Sequence, residues 1–559
     1  MKFSERIRIA ATLCVFAAIF IALAVGSYTR KSATWDEPQH LTAGYAALTR
    51  FDFRIDSEHP PVARMWAAFP LALSYGIQFD TNSMFWINGP QWHFCHQFMY
   101  YDNNADWMLY RARLMNVLLG VLLGVLLFCW ARELFGTTAA TAALALFCFE
   151  PNILAHAGLV TTDFAIVCFG FGAVYFLWRL TRRFSAVNLA MLTLFFVLAQ
   201  TSKFTALLLW PVVVVLLGAW AWREKNRQAA LRALGVTALL VVSTYVAIWA
   251  AYGFRYETTA GTKTEHFATE FANDLRVRTA SPLLRSATGF VCKHRLLPQA
   301  YAEGFLLGQA KAAMRASYCC GRYSSMGWWW YFPVSFLLKT PVTLIAVLAA
   351  GVILQRRALL FLLWPIAVFL GVAMLAHLNI GLRHVLTIYP FVLLLACGAF
   401  VQRRWLVVLA PCLMAAELLL VYPDCIAAFN IVAGGPSRGD SYLVDSNLDW
   451  GQDLKGLKKW MDENNVSEIN LSYFGTADPA YYGIRCVYLP GSPFFADKRV
   501  SGPKLPGYVA VSLTNLRGVY FSPEARRFFT SLLERKPVAR IGNSIQVYWI
   551  ESPWWREGK

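Results

Sequence analysis

The chain has 559 residues, of which 57% are hydrophobic, 15% aromatic and 15% charged, and its mean hydropathy is +0.44. That composition excludes a single soluble domain and describes a polytopic membrane protein. The formal charge of +18 suggests nucleic acid at first sight, but the basic residues sit between long apolar runs and form no stripe on a soluble module. They read as cytoplasmic loops and headgroup contacts, and no nucleic-acid partner is expected.

Residues 1–27 carry Lys2, Arg6 and Arg8 and then an apolar run of about twenty residues, longer than the core of a cleaved signal, so a retained first span is expected. Further apolar windows lie near 112–131, 137–158, 161–178, 186–201, 204–222, 230–252, 334–354, 358–376, 384–401 and 405–423, which makes about eleven transmembrane helices. The short loops place Arg132, Arg179, Arg182, Arg183, Arg223, Lys225, Arg227, Arg232, Arg356, Arg357, Arg403 and Arg404 on the side of Lys2, Arg6 and Arg8. By the positive-inside rule the N-terminus is cytoplasmic and, with an odd number of helices, the C-terminus lies outside.

Three segments then face out: 28–111, 253–333 and the tail. In the first, 34–50 and 58–76 carry apolar residues at helical spacing and read as helices along the membrane surface. Trp328–Phe332 reads as an interfacial aromatic belt. The tail has a soluble pattern: an amphipathic helix over 449–460, strands over 467–473 and 507–513, and a helix over 522–535 with Ser522 as its cap. Two units are expected, a membrane domain over 1–423 and an extracytoplasmic α/β domain over 424–559, with 434–439 as the hinge. Of the twelve cysteines, six fall in apolar windows and six outside, where an oxidising compartment permits disulfides of undetermined pairing.

Asp36 and Glu37 are adjacent carboxylates just past the outer end of the first window. They suit the cap and first turn of a helix beginning at Pro38. A carboxylate at a membrane edge is also a functional candidate, and Asp36 is of the right type for a general base. The same face carries Glu58-His-Pro-Pro61, Thr161-Thr-Asp163, Lys203 and Asn379-Ile-Gly-Leu-Arg-His384. Acids and bases gathered at one membrane level point to a site there.

A first helix, an outer Trp35-Asp-Glu37, then Glu58-His-Pro-Pro61, a further acid at the start of the fourth helix and Gly381-Leu-Arg-His-Val-Leu-Thr-Ile-Tyr-Pro390 resemble the GT-C glycosyltransferases of family 39. That group includes protein O-mannosyltransferases and the lipid A aminoarabinose transferase. The resemblance covers roughly residues 1–420, and Ser446–Asp453 is similar to a segment of uncharacterised bacterial members. It implies a phospholipid carrier-dependent enzyme in the bacterial inner membrane, moving a sugar from a polyprenyl-phosphate donor to a lipid, glycan or protein acceptor at the periplasmic or exterior face.

Under that resemblance Asp36 is the catalytic base of an inverting displacement, Glu37 orients it or helps bind the acceptor, and Asp163 is the second acid. The resemblance fixes no cofactor and leaves a divalent cation open, which Asp36 and Asp163 could hold between them. The departing lipid phosphate calls for cations: Arg383 first, for its bidentate guanidinium, then Lys203, with His384, His59 and Lys339 as further ligands. Lys203, Lys339 and Arg383 can equally snorkel to headgroups, and a lone histidine can equally be structural. The second acid is a single Asp163, with Glu150 earlier at Pro151, and the tail is no β-trefoil, so a protein acceptor is unsupported. Competing classes are a transporter or lipid flippase, whose broken paired halves the sequence lacks, and a non-catalytic scaffold.

Overall fold

The computed structural model describes residues 3–87, 90–259, 277, 280–354, 359–491 and 500–553; part of the predicted outer segment 253–333 lies outside them. The chain is a mostly helical integral membrane protein. Six helices are long and apolar enough to cross a membrane, or eight if each of two bent pairs is one span, and three shorter apolar helices accompany them. Each of the eleven windows coincides with one of these helices or bent pairs.

The bends have local causes. Thr137–Cys148 and Pro151–Ala157 meet at 66°, where Pro151 cannot continue the first helix's hydrogen bonds and the Glu150 carboxylate accepts the Ile153 N–H at 2.6 Å as a new cap. Tyr331–Lys339 and Val342–Val352 meet at 112° across Pro341. The first span, Glu5–Tyr28, buries one narrow face, with Phe16, Phe20, Ala24 and Tyr28 four residues apart. It packs on Ala105–Phe135 at Gly120 and Gly124, where a Cβ would come within 2.4 Å of Phe20 and 2.1 Å of Phe16. Small residues at such a crossing let two membrane helices approach closely.

Two helices lie deepest: the apolar windows of Asp163–Arg182 and Leu382–Gln402 are each 89% buried. Ala105–Phe135, at 31 residues, is about 46 Å long and outreaches the roughly 30 Å hydrocarbon layer. Around its first turns pack the helices Glu37–Arg50 and Val62–Ala72. They touch at Gly44, where a Cβ would lie 2.1 Å from the Arg64 carbonyl oxygen. Glu37–Ala47 is continuously buried, so this helix is packed inside the protein and does not lie open along a surface.

Near the C-terminus, β1 (Ile469–Ser472), β2 (Cys486–Tyr488), β3 (Gly507–Ser512), β4 (Ala539–Ile541) and β5 (Ile545–Ile550) form a sheet in the order β2-β1-β3-β5-β4. β1 runs parallel to both neighbours, pairing Asn470 with Val487 and Val509, and β5 is antiparallel to β3 and β4. The helices Leu454–Glu463 and Pro523–Thr530 accompany it; the first buries Leu454, Leu457 and Met461, and Ser522 caps the second through the Ala525 N–H. The stretch 434–439, expected as a hinge, ends in a packed glycine followed by an ion-paired aspartate. Gly439 lies against Phe429, and Asp440 beside it pairs with Arg517 at 2.6 Å and Arg540 at 3.2 Å.

Candidate active site

The loop from Lys31 to Asp36 is held from above by residues 450–453. Ser32 N–H donates to the Gln452 carbonyl and Trp35 N–H to the Trp450 carbonyl, both at 2.9 Å, and Lys31 pairs with Asp453 at 2.6 Å and with Asp424. Asp36 stands at the cap position of the Glu37–Arg50 helix, yet its side chain makes no capping bond. Its carboxylate accepts from Arg383 Nη1 at 3.1 Å, and a quarter of the side chain is exposed (25%).

Glu37 meets a different fate. It is fully buried against a fully buried Arg113, whose Nε and Nη2 donate to its two oxygens at 2.8 and 2.6 Å. Thr34 N–H, Thr34 Oγ1 and Val160 N–H donate to the same oxygens at 2.8, 3.0 and 2.9 Å. Burial opposes its charge, but the Arg113 guanidinium and these donors together hold the carboxyl below its ordinary range. Arg113 also binds the carbonyls of Tyr28, Lys31 and Ser32, so the pair fixes the loop that presents Asp36.

The two deepest helices each deliver one charged residue from their N-terminal ends. Asp163 opens the Asp163–Arg182 helix, where the helix dipole favours a carboxylate, and pairs with Lys203 and with Arg383 Nη1, the latter at 3.2 Å. Arg383 lies on the 3₁₀ turn Leu382–Ile388. Its Nε donates to Ser446 Oγ at 3.2 Å, and its guanidinium sits 4.2 Å from the centre of the Trp450 ring. Gly381 permits this approach, since a Cβ there would lie 2.1 Å from Ser446 Oγ. Asp36, Asp163, Lys203 and Arg383 therefore form one cluster, with Asp36 its most open member.

The remaining predicted residues divide. His384 borders the cluster, with a buried Nε2 that has no hydrogen-bond partner. His156, which sequence reasoning missed, lies within electrostatic range of Asp163, Arg383 and Lys203 and has a partnerless buried Nδ1. Its one signal is its position five residues before Thr161-Thr-Asp163. His59 belongs to another group: its Nδ1 is 3.0 Å from Asp56, which also takes His40 Nδ1 at 2.7 Å and Arg64 at 3.0 Å. Lys339 gives its ammonium to the carbonyls of Ile426, Ala428 and Asn447 at 3.0, 2.9 and 2.6 Å. Those three bonds use its three N–H groups, so it anchors the segment below Ser446 and has none left for a phosphate. Glu58 pairs with Lys311.

A divalent cation between Asp36 and Asp163 would have to displace the Arg383 guanidinium that bridges them. Among the described residues the set with metal-ligand proximity is His40, Asp56 and His59, whose donor atoms lie within 4.8 Å of one another. There Arg64 already holds the Asp56 oxygen that faces His40.

Residues 106–249, which include Arg113, His156, Asp163 and Lys203, match the model of a family described as dolichyl-phosphate-mannose-protein mannosyltransferase. The resemblance read from the sequence is borne out. The chain is also similar to solved structures. Against ArnT from Cupriavidus metallidurans in the apo state it has 13% identity over 97% of this chain and 98% of that one, with a TM-score of 0.33. Against the same protein bound to undecaprenyl phosphate the values are 13%, 96%, 97% and 0.32. Against the archaeal oligosaccharyltransferase AglB from Archaeoglobus fulgidus, in complex with an inhibitory peptide and a dolichol-phosphate, they are 11%, 95%, 71% and 0.41. No curated protein matches the chain.

Proposed function

We propose that the chain is an inverting glycosyltransferase that moves a sugar from a polyprenyl-phosphate carrier to an acceptor hydroxyl or amine. The observation that carries this reading is the meeting of Asp36, Asp163, Arg383 and Lys203 at one end of the two deepest helices. Asp36, the open acid, takes the acceptor's proton as the acceptor atom attacks the anomeric carbon. The bond from that carbon to the carrier phosphate breaks, and the phosphate leaves with the electron pair. Arg383 and Lys203 meet its charge in a poorly hydrated site, where fixed cations act most strongly. Binding of the donor's phosphate draws Arg383 from Asp36, which frees the carboxylate before it takes the proton.

Asp163 holds both cations in place, and Glu37 acts as a positioning residue through Arg113. The sidedness is supported by the Asp163–Arg182 helix, whose last turn carries Arg179 and Arg182 at the end opposite the cluster. Basic residues at that end support a cytoplasmic placement, with the cluster and the C-terminal α/β unit outside. The eleven windows are read as eleven spans, the membrane in question is the bacterial inner membrane, and residues 424–559 form the second domain.

The test is the lipid profile of cells in which Asp36→Asn replaces the native chain. Accumulated polyprenyl-phosphate sugar, together with a glycan lacking its terminal residue, is the expected outcome and identifies donor and acceptor together. An unchanged lipid and glycan profile overturns the reading.

A further inference from the structure

The C-terminal part closes over the Asp36–Arg383 pair with side chains that the reaction above does not use. The Tyr520 hydroxyl donates to Asp445. The Arg315 guanidinium lies 5.3 Å from the centre of the Tyr520 ring and within electrostatic range of both Asp445 and Asp36. Its Nε is buried with no hydrogen-bond partner. Phe474 stacks on Tyr520 at 5.6 Å with 8° between the rings, and Trp35, the neighbour of Asp36, sits 4.8 Å from Phe474. Trp35 and Tyr520 are half-buried, so this wall is partly open.

Ser446 joins the wall to the cluster, since its N–H donates to Asp445 at 2.6 Å while its hydroxyl accepts from Arg383. Asp445 has φ of 58°, a left-handed conformation that costs energy for a residue other than glycine and that gathers at functional sites. Burial pushes its carboxyl above the ordinary range in spite of Arg315. A packed interface needs neither the strained backbone nor the partnerless Arg315 nitrogen.

We propose that Asp445, Arg315 and Tyr520, with the Trp35–Phe474 wall, form the subsite for the donor's sugar ring. A pyranose offers an apolar C–H face and an edge of hydroxyls. The aromatic wall suits the first, and a carboxylate beside a guanidinium suits the second. The ring is bonded directly to the phosphate that Arg383 receives, so it must lie within a few bond lengths of that residue, and Ser446 places Asp445 at that distance. The membrane helices then supply base and phosphate site, and the C-terminal part supplies the choice of sugar. This inference rests on the transfer reading above.

The test uses the full chain in nanodiscs and compares binding of undecaprenyl phosphate with binding of its mannosyl, glucosyl and aminoarabinosyl forms. At least one glycosylated form should bind about tenfold more tightly than the bare lipid. Asp445→Asn and Tyr520→Phe should each remove most of that advantage and leave bare-lipid binding unchanged, which also shows that the variants fold. The conservative Tyr520→Phe carries the test if Asp445→Asn does not fold. The subsite is overturned if no glycosylated form gains over the bare lipid, or if the variants keep the full advantage or lose both affinities in step. A native chain that binds neither form overturns the transfer reading itself.

Discussion

Two neighbouring carboxylates divide the labour of this loop. Glu37 is sealed: five donors fill its oxygens and its guanidinium partner is fully buried. Asp36, one residue earlier, meets a single nitrogen of Arg383, which it shares with Asp163. A saturated acid has no lone pair to offer a substrate, whereas a sparsely bound one can change partner. The degree of saturation, more than burial or charge, separates the anchor from the acid proposed as the base.

The comparison breaks most plainly at Arg113. Arg113→Met leaves the Glu37 carboxylate buried and unpaired, which should destabilise the protein by about 3–5 kcal/mol and abolish a sharp melting transition in detergent. A wild-type melting curve would show that Glu37 is no anchor. Asp36→Asn should do the reverse, lowering the transfer rate about a hundredfold or more while thermal unfolding stays native; equal losses in both would merge the two acids into one structural role. Arg383→Lys keeps the charge but cannot bridge two carboxylates while lying on Trp450. It should weaken undecaprenyl phosphate binding about tenfold, read in the same nanodiscs.

The smallest effect tests saturation in the C-terminal part. Burial pushes the Asp449 carboxyl up to about 8, with only Thr514 and backbone donors to support its charge. Its folded-state value is raised, so the stability it contributes is complete below the ordinary aspartate range and is lost as pH rises through about 8. Between about pH 7 and pH 9 the native protein should lose about 1 kcal/mol that Asp449→Asn does not lose, measured by melting at each pH. Parallel curves for the two proteins would show that Asp449 carries no such linkage.

Much of this was legible in the sequence, because an apolar run declares a membrane helix and a charge beside it stands out. The eleven windows fall on apolar helices or bent pairs, and Asp36, Asp163, Lys203 and Arg383 were singled out on that ground. The fate of Glu37 was hidden, since its partner Arg113 lies 76 positions away inside another helix. Lys339 and His59 looked like phosphate ligands by type. Their partners are backbone carbonyls in one case and a separate aspartate in the other, and neither leaves a trace in local spacing. Trp450 reads as part of an amphipathic helix, and its place under Arg383 depends on the non-local fold of residues 446–453.

The bonds from loop 31–36 to residues 450–453 set an order of events. Ser32 Oγ donates to the Gly451 carbonyl across 419 positions, so the loop that carries Asp36 cannot acquire its final constraints until about four-fifths of the chain has been synthesised. Contacts so distant in sequence form late. A nascent chain with its apolar helices inserted still lacks the clamp on Asp36, and under the transfer proposed above a half-built protein is thereby kept from spending its donor lipid.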